Sequence, residues 1–367
     1  MSTKKRYRKI LKWTLTSLFG LFIILVAFAF WFMSLIPSKD AALESTTTKD
    51  LPYLSQNVIP QRGKILAVVT STDVMGSSEK STGYELTELA RAYYVFKANG
   101  FEVDVASPLG GKAPVVLDDD DMGPFDYAFL NDQEAQAKTN NTIPVDQINP
   151  EEYEAVFFAG GKGAMFDFPD NSAIQNIVKT LNESNKVIGA VCHGPAALVN
   201  VSLSDGQNLL KDKEVSGFTN EEELLLISDA KEIFPFLLQD KLTAQGARFK
   251  EGTMYLENIS HDNNLVTGQN PWSTWRMAET IIRQMGYTPK YREITDEENA
   301  VTVLTVYENQ GLEKAKEKLE YMVVTEKKPV KRVLIAAHSM MGVMQADLGR
   351  FYDMVSLTKF AKSLDAQ

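Results

Sequence analysis

The only thiol in this chain, Cys192, follows the apolar, β-branched run Val187-Ile188-Gly189-Ala190-Val191 and precedes His193-Gly194-Pro195-Ala196-Ala197-Leu198. An apolar run that ends at a nucleophile and passes into a helix-forming stretch has the layout of a nucleophile elbow, a sharp turn that lifts a reactive side chain out of a parallel sheet. Pro195 suits the first turn of a helix, where its missing N–H is not needed. A helix N-terminus and the imidazole of His193 would both favour thiolate over thiol, so the expected chemistry is nucleophilic catalysis. The competing reading is a lone buried cysteine acting as a small hydrophobe. Gly160-Gly161-Lys162-Gly163 is the second feature of interest. It has neither the Walker nor the Rossmann spacing, so it reads as a donor loop of main-chain N–H groups for an oxyanion, or as a plain glycine turn.

The segments that must position these residues alternate. Lys64 to Ser71 reads as a buried strand, Glu85 to Ala98 as a helix stopped by Gly100, and Glu102 to Ser107 as a strand. Tyr153 to Ala159 is a further strand, Asn171 to Asn185 a helix, and the Cys192 strand comes next. Such alternation predicts an α/β fold, a flavodoxin-like doubly wound parallel sheet with helices on both faces. Functional residues in such sheets gather beyond the carboxyl ends of the strands, where Cys192 and the Gly160-Gly161 turn both fall.

Charge is uneven along the chain. The formal net charge is −10, yet the first twelve residues carry six cations and no acid. An acidic body argues against a nucleic-acid partner. One cysteine excludes an intrachain disulfide or a multi-cysteine metal site, and three histidines argue against a histidine-rich one, so no metal is expected. Residues 13–36 contain no ionisable side chain and are long enough to cross a bilayer as one helix, with Trp13 and Trp31 near its ends. The basic residues 1–12 predict a cytoplasmic N-terminus and a body on the extracytoplasmic side, and an uncleaved anchor fits better than a signal peptide. Residues 37–61, rich in Ser, Thr, Asp and Pro, read as a linker. Asp118 to Asp121 reads as a solvated acidic loop, because it lacks the calcium-loop pattern.

Several segments together resemble the ThiJ/PfpI superfamily, which shares the fold of class I glutamine amidotransferases. They are Thr82-Gly83-Tyr84-Glu85-Leu86-Thr87-Glu88-Leu89-Ala90, Val105 to Gly111, Ala190 to Ala196, Gly217 to Glu223 and Leu265 to Pro271. The last two point to the branch of glyoxalase III-like enzymes and heat-shock chaperones. The resemblance covers residues 62–287. It implies Cys192 as nucleophile, Glu88 as the carboxyl that shuttles protons beside the sulfur, His193 and Glu223 as the triad-like histidine and acid, and the N–H groups of Gly161 and His193 as the oxyanion hole. Lys162 stands where that branch often has histidine, and Ala92 where the upstream motif often has proline.

The resemblance implies a cofactor-free glyoxalase III-like lyase, of D-lactate dehydratase type, turning a 2-oxoaldehyde into a 2-hydroxy acid. A cysteine hydrolase (peptidase, amidase or deglycase) and a non-enzymatic holdase are the alternatives. A small carbonyl substrate or a peptide, the bilayer through residues 13–36 and a second copy of the chain are the expected partners. Residues 288–367 fall outside the resemblance. Leu312, Ala315, Leu319 and Met322 predict an amphipathic helix, and Val333 to His338 a buried strand, so an α/β extension is expected, with His338 as a candidate for the mouth of the site.

Overall fold

The computed structural model describes residues 3–38, 40–118 and 121–364. Asp40–Val301 forms one compact unit, and Met1–Lys39 with Thr302–Gln367 forms a second.

The first unit is built on a seven-stranded sheet. Its strands are β1 (Gly63–Val68), β2 (Phe101–Ser107), β3 (Ile143–Pro144), β4 (Ala155–Phe158), β5 (Val187–Val191), β6 (Ile259–Asp262) and β7 (Leu265–Gly268), in the order β6-β7-β5-β4-β1-β2-β3. All pairs are parallel except β6 with β7. Strand β1 pairs with β2 on one side and with β4 on the other, so the chain reverses its winding there. Register places Val68 beside Phe158 and Phe158 beside Ala190. The loops leaving β1, β4 and β5 therefore emerge side by side, which brings Gly160-Gly161 next to Cys192.

The helices arise from the same pattern. Helix α1 (Thr3–Met33) belongs to the second unit. Helix α2 (Leu86–Ala98) is buried almost all round, including Leu86, Leu89, Tyr93, Tyr94 and Phe96, because the sheet covers one side and helices Pro124–Asn131 and Thr274–Gln284 cover the others. Helix α3 (Ser172–Glu183) buries Ile174, Ile177, Val178 and Leu181, one stripe at helical spacing. Asn171 caps it, its Oδ1 accepting from the N–H groups of Ala173 (3.0 Å) and Ile174 (3.1 Å).

Two expectations about the domain's edges change. The stretch 37–61 is not free chain from residue 40 onward: it forms the short helices Ala41–Ser45, Thr48–Asp50 and Pro52–Ser55, and Leu51 and Tyr53 enter the main core. Two apolar side chains in a polar run suffice, because Asn99 Nδ2 donates to the Tyr53 hydroxyl (3.2 Å) and Lys290 Nζ donates to the Tyr53 carbonyl (2.6 Å). The domain also continues past residue 287. Arg292 is buried against the Trp275 ring (4.0 Å) and paired with Glu298 (2.6 Å). Of the acidic run, Asp119 and Asp120 lie outside the described residues. The Asp121 carbonyl accepts from Arg91 Nη2 (2.8 Å), which ties that end of the run to α2.

In the second unit, α1 contains the apolar segment Leu11–Met33, 23 residues of mean hydropathy 2.4, long and apolar enough to cross a membrane and with no part of it buried. The described residues beyond 301 contain no strand, so the α/β extension is corrected to a helical one. Helix α4 (Asp296–Gln310) enters it, and α5 (Leu312–Glu320), α6 (Arg332–Met344) and α7 (Leu348–Leu364) complete it. Val333 to His338, expected as a strand, lies inside α6. A short apolar run does not distinguish a buried strand from a buried helix; Ala336 and Ala337 within it favour a helix, and Met340 and Met341 beyond it continue one. The amphipathic helix is present as α5, with Ala315 and Leu319 buried, and Met322 falls in the π-helical turn Tyr321–Thr325. His338 is sealed in α6 at 1% exposure, so it cannot line a solvent-filled mouth.

Candidate active site

Cys192 ends β5 with a φ of +58°, a left-handed conformation that an L-residue rarely adopts. Its N–H donates to the Gly268 carbonyl (2.9 Å), and its own carbonyl accepts from Phe218 N–H (2.8 Å), so the neighbouring strand and loop hold the strained turn in place. The elbow expected from sequence is thus present. It leads into a five-residue 3₁₀ turn, Gly194–Leu198, rather than an α-helix.

His193 adjoins the sulfur. Its Nδ1 lies 3.3 Å from Cys192 Sγ, and its Nε2 lies 2.5 Å from Glu223 Oε2. With a carboxylate at Nε2, the neutral ring carries its proton there and leaves Nδ1 free to accept from the thiol. The ring lies against Phe218, with centroids 4.5 Å apart. Glu223 sits in the helix Asn220–Leu226, whose start is a capping box. Thr219 Oγ1 accepts from Glu222 N–H (3.1 Å), and Glu222 Oε2 accepts from Thr219 N–H (3.1 Å). Glu222 also accepts from Tyr255 N–H (2.8 Å) and Asn270 Nδ2 (3.0 Å) through Oε1. The acidic triplet therefore divides its labour: Glu221 is exposed, Glu222 builds the turn, and Glu223 meets the histidine.

Glu88 reaches the same point from the first turn of α2. It is fully buried, and Gly160 N–H donates to its Oε2 (2.6 Å). A side chain at residue 160 has no room: a Cβ there would lie 2.6 Å from Glu88 Oε2, 2.8 Å from Cys192 Cβ and 2.8 Å from His193 N. One hydrogen-bearing carbon thus sits where the acid, the nucleophile and the histidine main chain converge. Gly161 has a φ of +100°, and a Cβ there would meet the Gly83 carbonyl at 2.2 Å.

Electrostatics corrects one expectation. Burial pushes Glu88 from the ordinary carboxylate range up to about 8, against the pull of its hydrogen bonds to Cys192 and Gly160 and the charges of Arg91 and Lys162. Burial, and next the negative charge of Glu88, push the Cys192 thiol well above its usual value, with Lys162 opposing. Burial thus favours the neutral form of both groups, against the pull toward thiolate expected from a helix N-terminus and an imidazole. A 3₁₀ turn of five residues supplies little macrodipole, and a site this dry disfavours a bare anion.

Two participants carry no signal strong enough to be found from sequence. Glu85 lies one turn before Glu88, and its N–H donates to the Gly160 carbonyl (3.2 Å). Its Oε1 is buried with no hydrogen-bond partner among the described residues. Burial, then Glu88, raise its pKa well above the usual carboxylate range, and Lys162 opposes the rise. Its i, i+3 spacing from Glu88 is the one available hint. Tyr255, whose φ is +53°, is charge-coupled to Glu222, Cys192 and Glu223 and is packed near Phe218, with ring centroids 6.3 Å apart. No local pattern marks it. Lys162 is half-buried, its side chain forms no hydrogen bond or ion pair with the described residues, and it acts electrostatically on Cys192, Glu88 and Glu85. Among the described residues no group of three or more His, Cys, Asp or Glu side chains is arranged to hold a metal ion.

Comparison with known proteins gives the family. The DJ-1/PfpI family profile matches residues 80–219. Glyoxalase 3 of Candida albicans is 30% identical over 234 residues, covering 59% of this chain and 96% of that protein. The glutathione-independent glyoxalase HSP31 of Saccharomyces cerevisiae is 30% identical over 232 residues, covering 59% of this chain and 95% of that protein. Among solved structures, the 24 kDa rapid encystment protein of Francisella tularensis superposes with a TM-score of 0.58 at 37% identity, over 61% of this chain and 99% of that one. The crystal structure of glyoxalase III from Candida albicans gives 0.56 at 26% identity, over 60% and 97% of the two chains. The elbow, the buried glutamate and these relatives together place the chain in the DJ-1/PfpI family.

Proposed function

We propose that this protein is a cysteine-dependent glyoxalase that converts a 2-oxoaldehyde such as methylglyoxal to the 2-hydroxy acid, with water as the only co-reactant. The observation that carries the reading is a buried carboxyl, Glu88, with a pKa of about 8 beside a thiol whose histidine is backed by Glu223. Rearranging a 2-oxoaldehyde requires a nucleophile for the aldehyde carbon and one group that both takes and returns a proton near neutrality.

Each step balances. His193 Nδ1 takes the thiol proton as Sγ bonds to the aldehyde carbon, and the carbonyl π pair moves to oxygen. The N–H groups of Gly161 and His193 receive that oxyanion, which is then protonated to the hemithioacetal. Glu88, as carboxylate, removes the hydrogen from the same carbon as a proton, the electron pair passes to the neighbouring ketone oxygen, and that oxygen takes the proton of the first carbon's hydroxyl, which leaves an enediolate. Glu88 returns the proton to the second carbon, leaving a hydroxyl there and a thioester at the first. Water then attacks the thioester with His193 as base, the carbon–sulfur bond breaks, sulfur regains its proton, and the 2-hydroxy acid leaves. Glu223 offsets the charge that develops on His193 during both proton transfers.

The test is direct. The purified full chain, given methylglyoxal without glutathione, is expected to form lactate, and Cys192→Ala is not. A folded wild-type chain that forms no lactate removes the reading. The Cys192–His193–Glu223 arrangement also supports acyl transfer, so a cysteine hydrolase is the second reading. It is favoured if an activated ester or a peptide probe leaves an acyl group on Cys192.

The same proposal includes location. Residues 13–36 would anchor the chain once in a bilayer, the basic residues 1–12 staying in the cytoplasm and the catalytic domain lying on the far side. Release of the full chain from membranes by alkaline carbonate would remove that part.

A further inference from the structure

Outside α1, the described residues of the second unit leave a group of apolar side chains uncovered. Leu348 is 76% exposed and Tyr352 is 71% exposed, at the start of α7. Met340, Val343 and Met344, at the end of α6, are each about half exposed. The two helices meet closely here, since Asp347 N–H donates to the Gly342 carbonyl (2.8 Å) and a Cβ on Gly342 would lie 2.8 Å from Phe351 N. These five side chains therefore cluster at the tip of the α6–α7 hairpin.

Two contacts set the hairpin against α1. The Phe351 ring lies 6.0 Å from the Phe28 ring. One helical stretch later, Lys362 Nζ donates to the Ser34 carbonyl (2.5 Å). Along both helices the sense is the same, from Phe28 to Ser34 and from Phe351 to Lys362. Met33 ends the apolar segment, and Phe28 precedes it by five residues, about 7–8 Å at the usual helical rise. Leu348 lies almost one turn before Phe351, so it falls on the order of 10 Å inside the end of the span. Lys362 sits level with the exit. That is the depth at which a monotopic helix buries its apolar face.

We propose that the tip of the α6–α7 hairpin is a second membrane contact, inserted into the outer edge of the bilayer beside α1. Its apolar side chains meet acyl chains, and Lys362 marks the headgroup level. The surface is continuous with the unburied apolar face of α1, so one lipid environment covers both. The proposal rests on α1 crossing a bilayer, as proposed above.

The chain's single cysteine makes the test clean. In a Cys192→Ala background, the full chain is reconstituted into phosphatidylcholine–phosphatidylglycerol vesicles. A nitroxide is attached in turn to Ile24→Cys, Met344→Cys, Leu348→Cys and Lys314→Cys, all exposed positions. Relaxation by oxygen and by a water-soluble nickel complex reports the depth of each. Labels at 344 and 348 are expected to favour oxygen, as at 24, and the label at 314 to favour nickel. Labelling by a water-soluble maleimide is expected to be about tenfold slower at 348 than at 314, an independent reading that does not depend on the nitroxide. A label at 24 in lipid with those at 344 and 348 in water overturns the second contact while leaving the anchor intact. All labels in water overturn the anchor and this inference together. Low accessibility to both reagents at 348 marks a protein cover, such as a second copy, and also overturns it.

Discussion

Two histidines, each 1% exposed, show what separates the α/β domain from the helical extension. His193 has an acceptor carboxylate at Nε2 and a thiol at Nδ1. His338 has the Arg350 guanidinium 3.3 Å from Nδ1 and nothing at Nε2 among the described residues. Burial, and then Arg350, push His338 down to about 3, so it is neutral at any physiological pH. Arg350 also pairs with Glu308, 2.6 Å away. Burial alone produces an inert ring. Burial with a carboxylate on the far nitrogen produces a ring that can take a proton from one side while its charge is offset from the other.

The comparison breaks first at the nucleophile. Cys192→Ala is expected to lower turnover of methylglyoxal by about 10³-fold or more, read as lactate formed per minute by a chain of unchanged circular dichroism. Glu223→Gln removes the charge behind His193 while keeping its shape, and is expected to cost roughly 10²–10⁴-fold in kcat. A Glu223→Gln enzyme with full activity would make His193 as idle as His338.

Glu88 sharpens the contrast through pH. If it must be a carboxylate to take the carbon-bound proton, kcat rises with pH and levels off above about 8. The stability consequence has the opposite sense. Its folded pKa of about 8 exceeds the ordinary value of 4.5, so the folded state holds the extra proton between them. That contribution is fully present below pH 4.5 and is lost as pH rises toward 8. Glu88→Gln should flatten both curves, measured as kcat and as urea midpoint against pH. Lys162→Gln acts on the same groups from outside. It is expected to move the kcat limb to higher pH and lower the rate at neutrality about threefold to tenfold, because Lys162 favours the ionised forms of Glu88 and Cys192.

The smallest effect is expected in the extension. His338→Leu should leave kcat/KM unchanged and alter stability by about 1 kcal/mol. The native ring has a folded pKa of about 3, below the ordinary 6.5, so its contribution is present above pH 6.5 and is lost as pH falls toward 3. The leucine variant should lose less stability over that acid window. A turnover defect in this variant would erase the distinction between the two histidines.

Much of the catalytic domain is legible residue by residue. The elbow, the glycine loop and the main strands announce themselves by β-branched runs that end in Gly, Ser or Cys, and Glu88 and Glu223 come from motifs that resemble a family. Glu85 is not legible as a site residue. Its main-chain N–H meets the Gly160 carbonyl and its Oε1 is buried without a partner among the described residues, a setting that depends on a strand seventy residues later. Val333 to His338 reads wrongly as a strand because five apolar residues followed by a histidine satisfy a strand and a buried helix equally, and only the packing of α6 against α7 decides. Leu51 and Tyr53 are hidden in a polar stretch, where two anchoring side chains leave no periodic trace.

The amino-acid sequence determined by itself four of the seven strands (β1, β2, β4 and β5), that a lone sulfur stands on a sharp turn, and that one apolar segment is long enough to span a bilayer. Periodicity, turn chemistry and length are local properties, and neighbouring residues suffice to express them. Tertiary structure alone decided the protonation of the site, the placement of Lys162 among three acidic groups, and which of two buried histidines faces a carboxylate. Desolvation and Coulomb energies sum over atoms that the fold brings together from distant parts of the chain, and no window of sequence contains that sum.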